Sequence, residues 1–117
     1  MRVAIVGSRE SRGLTAEQMI CHIPQNCSRI VSGGARGVDA IARQAAEMLG
    51  IPITEFRPDY PSYGKKAPLV RNREIVGHAD LVLVFWDMSS RGSAHTIVEC
   101  IQRRVPVKVI NLKQLKK

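Results

Sequence analysis

Arg29-Ile30-Val31-Ser32-Gly33-Gly34-Ala35-Arg36-Gly37-Val38-Asp39-Ala40-Ile41-Ala42 decides the fold. A short run rich in β-branched residues predicts a strand over 29–32, the glycine cluster predicts a turn, and a helical pattern begins at Val38. Val38, Ile41, Ala42, Ala45, Met48 and Leu49 then share one helical face, and Gly50 followed by Pro52 supplies the stop. A strand that passes through a glycine turn into a helix is half of a βαβ unit.

The same alternation continues in both directions. Further apolar runs predict strands at Val3 to Val6, Ile53 to Phe56, Leu81 to Trp86 and Val107 to Ile110. Their near-continuous apolar character predicts that every strand is buried between helices. Thr15-Ala16-Glu17-Gln18 has the form of a capping box, so a helix is expected from Thr15 to Ile23, ended by Pro24. Two more are expected over 67–77 and 93–104, with Pro106 closing the latter. The segment from Arg57 to Lys66, carrying Pro58, Tyr60, Pro61, Tyr63 and Gly64, is expected to be a long loop. Right-handed crossovers then give a single Rossmann-like α/β domain over 1–117, with a five-stranded parallel sheet in the order 3-2-1-4-5 and helices on both faces. In such sheets ligands sit outside the carboxyl ends of the strands, where the order reverses.

At 117 residues, 44% hydrophobic and 24% charged, the chain has the size and composition of one globular domain. Its longest apolar run is far too short to span a bilayer and its N-terminus lacks the pattern of a secretory signal, so the expected compartment is the cytoplasm, with no membrane partner. Cys21, Cys27 and Cys100 are odd in number and have no zinc-like spacing, which predicts reduced thiols and no metal site. A net charge of +8 favours an anionic partner.

Three predicted strands end in small residues accompanied by an arginine: Gly7-Ser8-Arg9, Ser32 to Gly37, and Asp87-Met88-Ser89-Ser90-Arg91-Gly92-Ser93. Glycine admits close approach of an anion, helix N-termini aim unpaired N–H groups at it, and serine and arginine add donors, so the convergence of these loops predicts a phosphate-binding site. Neither G-x-G-x-x-G nor G-x-x-x-x-G-K-[ST] occurs, which argues against a usual dinucleotide enzyme or P-loop ATPase, and no cofactor is expected. Arg9, Arg12, Arg36, Lys65, Lys66, Arg71, Arg73 and Arg91 all fall in or just after the loops on that edge.

These motifs, together with Arg71-Asn72-Arg73 and Ser90-Arg91-Gly92-Ser93-Ala94-His95-Thr96-Ile97, resemble the SLOG superfamily, and more narrowly its YspA-type branch of small bacterial and phage proteins. The resemblance spans nearly the whole chain. It implies a Rossmann-like fold with a site for nucleotide-derived ligands, and makes Gly33, Gly34, Gly37, Gly92 and Ser93 phosphate-loop residues. The superfamily includes LOG-type phosphoribohydrolases, which cleave the N-glycosidic bond of nucleoside monophosphates, and the DNA-processing A family, which binds single-stranded DNA. The hydrolase pattern P-G-G-x-G-T-x-x-E would place its carboxylate at Thr96 here. Glu99 lies one turn further, roughly 4.5 Å along the helix, on nearly the same face.

The expected ligand contacts are therefore Gly7, Ser8, Arg9, Ser32, Gly33, Gly34, Arg36, Gly37, Arg71, Asn72, Asp87, Arg91, Gly92 and Ser93, with Glu99 and Asp39 as the candidate catalytic acids. Asp39 also suits a purely local role beside its helix dipole, and Asp87 a turn-capping one. His95 is the one histidine near the predicted site, and Trp86 closes its strand where it could face a pocket. The leading expectation is binding of AMP, ADP-ribose or a related nucleotide derivative. N-glycosidic hydrolysis and single-stranded DNA binding are the alternatives; homo-oligomerisation is compatible with all three. Five aromatic residues in all predict a poor surface for base stacking.

Overall fold

A computed structural model describes residues 1–115. Five strands, β1 (Arg2–Gly7), β2 (Arg29–Ser32), β3 (Ile53–Glu55), β4 (Leu81–Trp86) and β5 (Val107–Asn111), form one parallel sheet in the order β3-β2-β1-β4-β5. This is the expected α/β doubly wound arrangement. The central register pairs Val3 with Leu81 and Gly7 with Phe85, so β1 and β4 end together at the point where the strand order reverses.

Side chains alternate along each strand, and the alternation divides the core into two layers. Val3, Ile5, Ile30, Leu83 and Phe85 pack under α1 (Ala16–Ile20) and α2 (Val38–Leu49). Ala4, Val6, Val31, Val82 and Val84 face the other way, under Ile75 and Val76 of α4 (Ala67–Gly77) and Cys100 of α5 (Arg91–Arg103). The Thr15 hydroxyl accepts from Gln18 N while the Gln18 side chain accepts from Thr15 N, completing the capping box.

Four expectations are corrected. The outer strands are not fully buried: all of β3 is half-buried, and Lys108 and Val109 of β5 are exposed, because an edge strand has a neighbour on one side only. The first helix is shorter than expected and ends at Ile20, with α5 starting earlier, at Arg91. The segment after β3 is not an irregular loop. It contains a four-residue helix α3 (Tyr60–Tyr63) and a 3₁₀ turn (Gly64–Lys66) that runs directly into α4. Asp59 caps α3 by accepting from Ser62 N at 3.2 Å, and Gly64 leaves it with φ of +57°.

Among the described residues, no helix is long and apolar enough to cross a membrane. Cys21, Cys27 and Cys100 are all free thiols. His22 packs its ring edge-on against Phe85, and His78 bonds the Glu74 carbonyl of its own helix, so both have local roles.

Candidate functional site

The carboxyl ends of β1 and β4 open onto a cavity of about 380 Å³, walled by the loops after β1, β2 and β4 and by the first turns of α4 and α5. Of the residues expected at the site, Gly7, Ser8, Arg9, Gly33, Asp39, Arg71, Asn72, Asp87, Gly92 and Ser93 are brought together on its wall. Glu10, Pro68, Leu69, Ser90 and Thr96 also line it; Ser90 and Thr96 belong to the motifs quoted above but were not among the expected contacts, and the other three were not anticipated. Leu69 and Pro68 were hidden because nothing in the sequence of α4 marks which end faces the sheet edge.

Close backbone approach explains why the loops meet. A Cβ on Gly7 would strike the Phe85 carbonyl and the Val38 side chain, so only glycine lets β1, β4 and α2 converge. Gly37, at φ of +73°, is pressed against the Ser8 and Arg9 backbone, and Val38 N donates to Ser8 O at 3.1 Å. The glycine at 37 therefore joins two loops and does not line the cavity. Gly34 likewise turns toward Arg57, whose guanidinium carbon would lie 3.3 Å from a Cβ there.

Serine hydroxyls form a chain along the cavity wall. Asp87 N donates to Ser8 Oγ at 3.0 Å, Ser8 and Ser90 hydroxyls lie 3.3 Å apart, and Ser90 Oγ donates to Ser93 Oγ at 3.0 Å. Since Ser90 spends its proton on Ser93, Ser8 is the donor to Ser90, and the chain ends on a Ser93 hydroxyl with its own proton to give. Ser90 is the N-cap of the thirteen-residue α5, yet no side chain caps the first turn, which leaves its leading N–H groups and the positive end of the helix dipole facing the same corner. Asp87 accepts from Ser89 N at 2.9 Å and Ser90 N at 2.8 Å, and these N–H groups hold its carboxyl below the ordinary range. It organises the turn into α5.

Across the cavity, Arg71 donates from Nη1 to the Gly33 carbonyl at 3.1 Å and from Nε to Asn72 Oδ1 at 3.0 Å. Asn72, buried, directs its Nδ2 to Nδ1 of His95 at 3.3 Å. With Asn72 as donor, the His95 proton sits on Nε2, facing Glu99 Oε1 at 3.9 Å. Asp39 lies beside Arg71 and accepts from Ala35 N at 3.1 Å. Burial pushes the Asp39 carboxyl up, opposed by that N–H, the Arg71 charge and the neighbouring Ser32 hydroxyl. Burial also lowers Arg71, against the pull of Asp39, but a guanidinium remains charged at neutral pH.

Several expected residues are elsewhere. Glu99 does not reach the cavity: its carboxylate turns to α4 and to its own helix, meeting Arg73 Nε at 3.3 Å and Arg103 Nε at 3.2 Å. One helical turn carries it behind Thr96, which lines the cavity and donates its hydroxyl to Gly92 O at 3.1 Å. Arg36 and Arg91 are exposed and outside the cavity lining, and Ser32 is buried beneath it. Trp86 is also outside, its indole N–H bound to the Ser90 carbonyl at 2.9 Å. No group of three or more His, Cys, Asp or Glu among the described residues is placed to hold a metal ion.

Comparison with known proteins follows the same lines. The family model for DNA recombination-mediator protein A matches residues 1–50, which hold β1, α1, β2 and α2. Gene 61 protein of Mycobacterium phage D29 is 38% identical over 84 residues, covering 67% of each chain. DNA processing protein A (DprA) from Streptococcus pneumoniae superposes with a TM-score of 0.72 at 25% identity, over 92% of this chain and 49% of its own. DNA processing protein A from Helicobacter pylori, whose structure concerns its single-stranded DNA binding mode, superposes with a TM-score of 0.73 at 26% identity, over 93% of this chain and 64% of its own. The chain thus spans about half of one solved relative and 64% of the other. On the family model, the relative 38% identical over two thirds of its length and the two superpositions, the chain belongs to the DNA-processing A family within the SLOG superfamily.

Proposed function

We propose that this protein binds single-stranded DNA by holding a backbone phosphate in the cavity where β1 and β4 end. The observation that carries the proposal is the serine chain, which ends on a Ser93 O–H donor beside the uncapped first turn of α5, with Arg9 and Arg71 on the cavity lining. Donors without acceptors and two guanidinium groups suit an oxyanion. Of the carboxylates on the cavity wall, Asp87 accepts from two backbone N–H groups, Asp39 accepts from Ala35 N–H through one oxygen with its other oxygen buried and unpartnered beside the Arg71 charge, and Glu10 is exposed. The single-stranded DNA binding of the Helicobacter pylori relative and the net charge of +8 support the same reading.

A free nucleotide is the second reading, favoured by the cavity volume of about 380 Å³, which is in the range of small-ligand pockets. Hydrolysis has less support, since Thr96 stands where the hydrolase pattern has its acid and Glu99 is committed to arginines. Fluorescence anisotropy with a labelled thymidine oligonucleotide, competed by AMP and by inorganic phosphate, separates the two. The proposal expects affinity that falls steeply with added salt and is little affected by AMP. Tight AMP binding without oligonucleotide binding would replace it with the second reading. Arg71→Ala is expected to cost about 1.5–3 kcal/mol, on the order of ten- to a hundredfold in affinity, if its charge meets the phosphate.

A further inference from the structure

We propose that Tyr60 and Tyr63 form a platform on which bases of single-stranded DNA stack, beside the cavity that takes a backbone phosphate. The proposal rests on the phosphate reading of that cavity. Of the five aromatic residues, Phe85 is buried and Phe56 and Trp86 pack against the core, whereas Tyr60 and Tyr63 are 54% and 50% exposed. Neither tyrosine ring packs on another ring, and neither phenol makes a hydrogen bond among the described residues.

Their exposure is built into the chain. Asp59 caps α3 through Ser62 N, Tyr63 N donates to Asp59 O at 3.0 Å, and Pro61 fixes the backbone between the two rings. Residues three apart in a helical turn are neighbours on one side, with Cβ atoms roughly 5–6 Å apart, a spacing suited to successive bases of an extended strand. Tyrosine presents this area with few torsions to freeze, so stacking on it loses little entropy.

The platform is joined to the phosphate site through the chain. The 3₁₀ turn after α3 carries the exposed Lys65 and Lys66 and runs directly into α4, whose Pro68, Leu69 and Arg71 line the cavity. An exposed ring pair next to cations, opening from a cavity with oxyanion donors, has the chemistry of a single strand: bases on the rings, phosphates on the charges. The sequence expectation of a poor stacking surface rested on the number of aromatics. Their placement reverses it, since both exposed rings fall on one turn at the cavity side of α4.

The test compares a thymidine dodecamer with an abasic strand of the same length, binding to wild type, Tyr60→Ser, Tyr63→Ser and the corresponding phenylalanine variants. Both positions are on the surface, so folding is expected to be unaffected, and thermal melts check it. The proposal expects each serine variant to bind the dodecamer about 5- to 10-fold more weakly, the low end of a base-stacking contribution. Phenylalanine should restore the affinity, and the abasic strand should bind all variants alike. Serine variants that bind the dodecamer as wild type does would overturn the platform and leave the phosphate reading standing. Wild-type protein that binds neither strand would overturn both.

Discussion

Arg71 and Asn72 are adjacent in sequence and bound to each other through their side chains, with Nε of the arginine 3.0 Å from Oδ1 of the asparagine. Adjacent helical residues do not normally face one another. The contact exists because Asn72 is pinned from behind by His95, and it turns the guanidinium toward the Gly33 carbonyl instead of solvent. Asn72 is thus a positioning residue for Arg71. Asn72→Ala is expected to weaken oligonucleotide binding by about 1 kcal/mol, close to fivefold. In an Arg71→Ala background the same change should have little further effect, because the group it positions is gone. Full additivity in that double-mutant cycle would remove Asn72 from this role.

Gly37→Ala is expected to destabilise the fold by at least about 2 kcal/mol, since it combines a left-handed backbone with a collision against the Ser8 and Arg9 backbone. Gly50→Ala, also left-handed at φ of +68° but with open space around its Cβ position, should cost only the backbone component, about 1 kcal/mol. Denaturant melts of the two variants give the comparison. Equal losses would show that the contact between the first two loops contributes nothing.

Asp39 gives a pH dependence with a definite sign. Burial raises its carboxyl above the ordinary aspartate value of 3.8, so between that value and the raised one the folded chain keeps a proton that the unfolded chain has released. Stability from this group is therefore fully present below 3.8 and is lost as pH rises through the raised value. Asp39→Asn removes the titration. Its melting temperature relative to wild type is expected to climb across that interval and then level off, and a flat difference would assign Asp39 an ordinary carboxyl.

The three thiols should separate by reactivity. Cys21 is exposed, whereas burial pushes the Cys100 thiol up to about 11, with Glu99 adding to the effect. Iodoacetamide at mildly alkaline pH is expected to label Cys21 and leave Cys100 unmodified in the native protein. Mass spectrometry of the digested product reads this directly, and labelling of Cys100 before unfolding would contradict its burial.

What could be read from sequence depended on how local each cause was. β2, β4, α2 and α4 have the bounds their residue patterns predict, because strands covered on both faces and helices with clear stops carry their instructions within themselves. The glycines of the second loop were legible as special positions, but their roles were not. Gly33 faces the cavity and Gly37 faces backbone, and a positive-φ turn has the same composition in either case. Glu99 was misplaced for a similar reason: helical spacing fixes its angle about α5, while its partner Arg73 arrives from α4, a tertiary event with no local trace. Helix α3 was hidden by Pro61 and Gly64, which mark loops, and by its length, since four residues cannot display a period.

The seating of Gly37 on the Ser8 and Arg9 backbone has a kinetic consequence. Two of the three loops around the cavity are welded into one wall, so a ligand meets a surface that needs no closing motion on that side and loses little ordering entropy there. Adaptation is left to the exposed turn between β3 and α4. Association should therefore proceed at a rate set by encounter and by salt, while the lifetime of the complex is decided at the opposite rim.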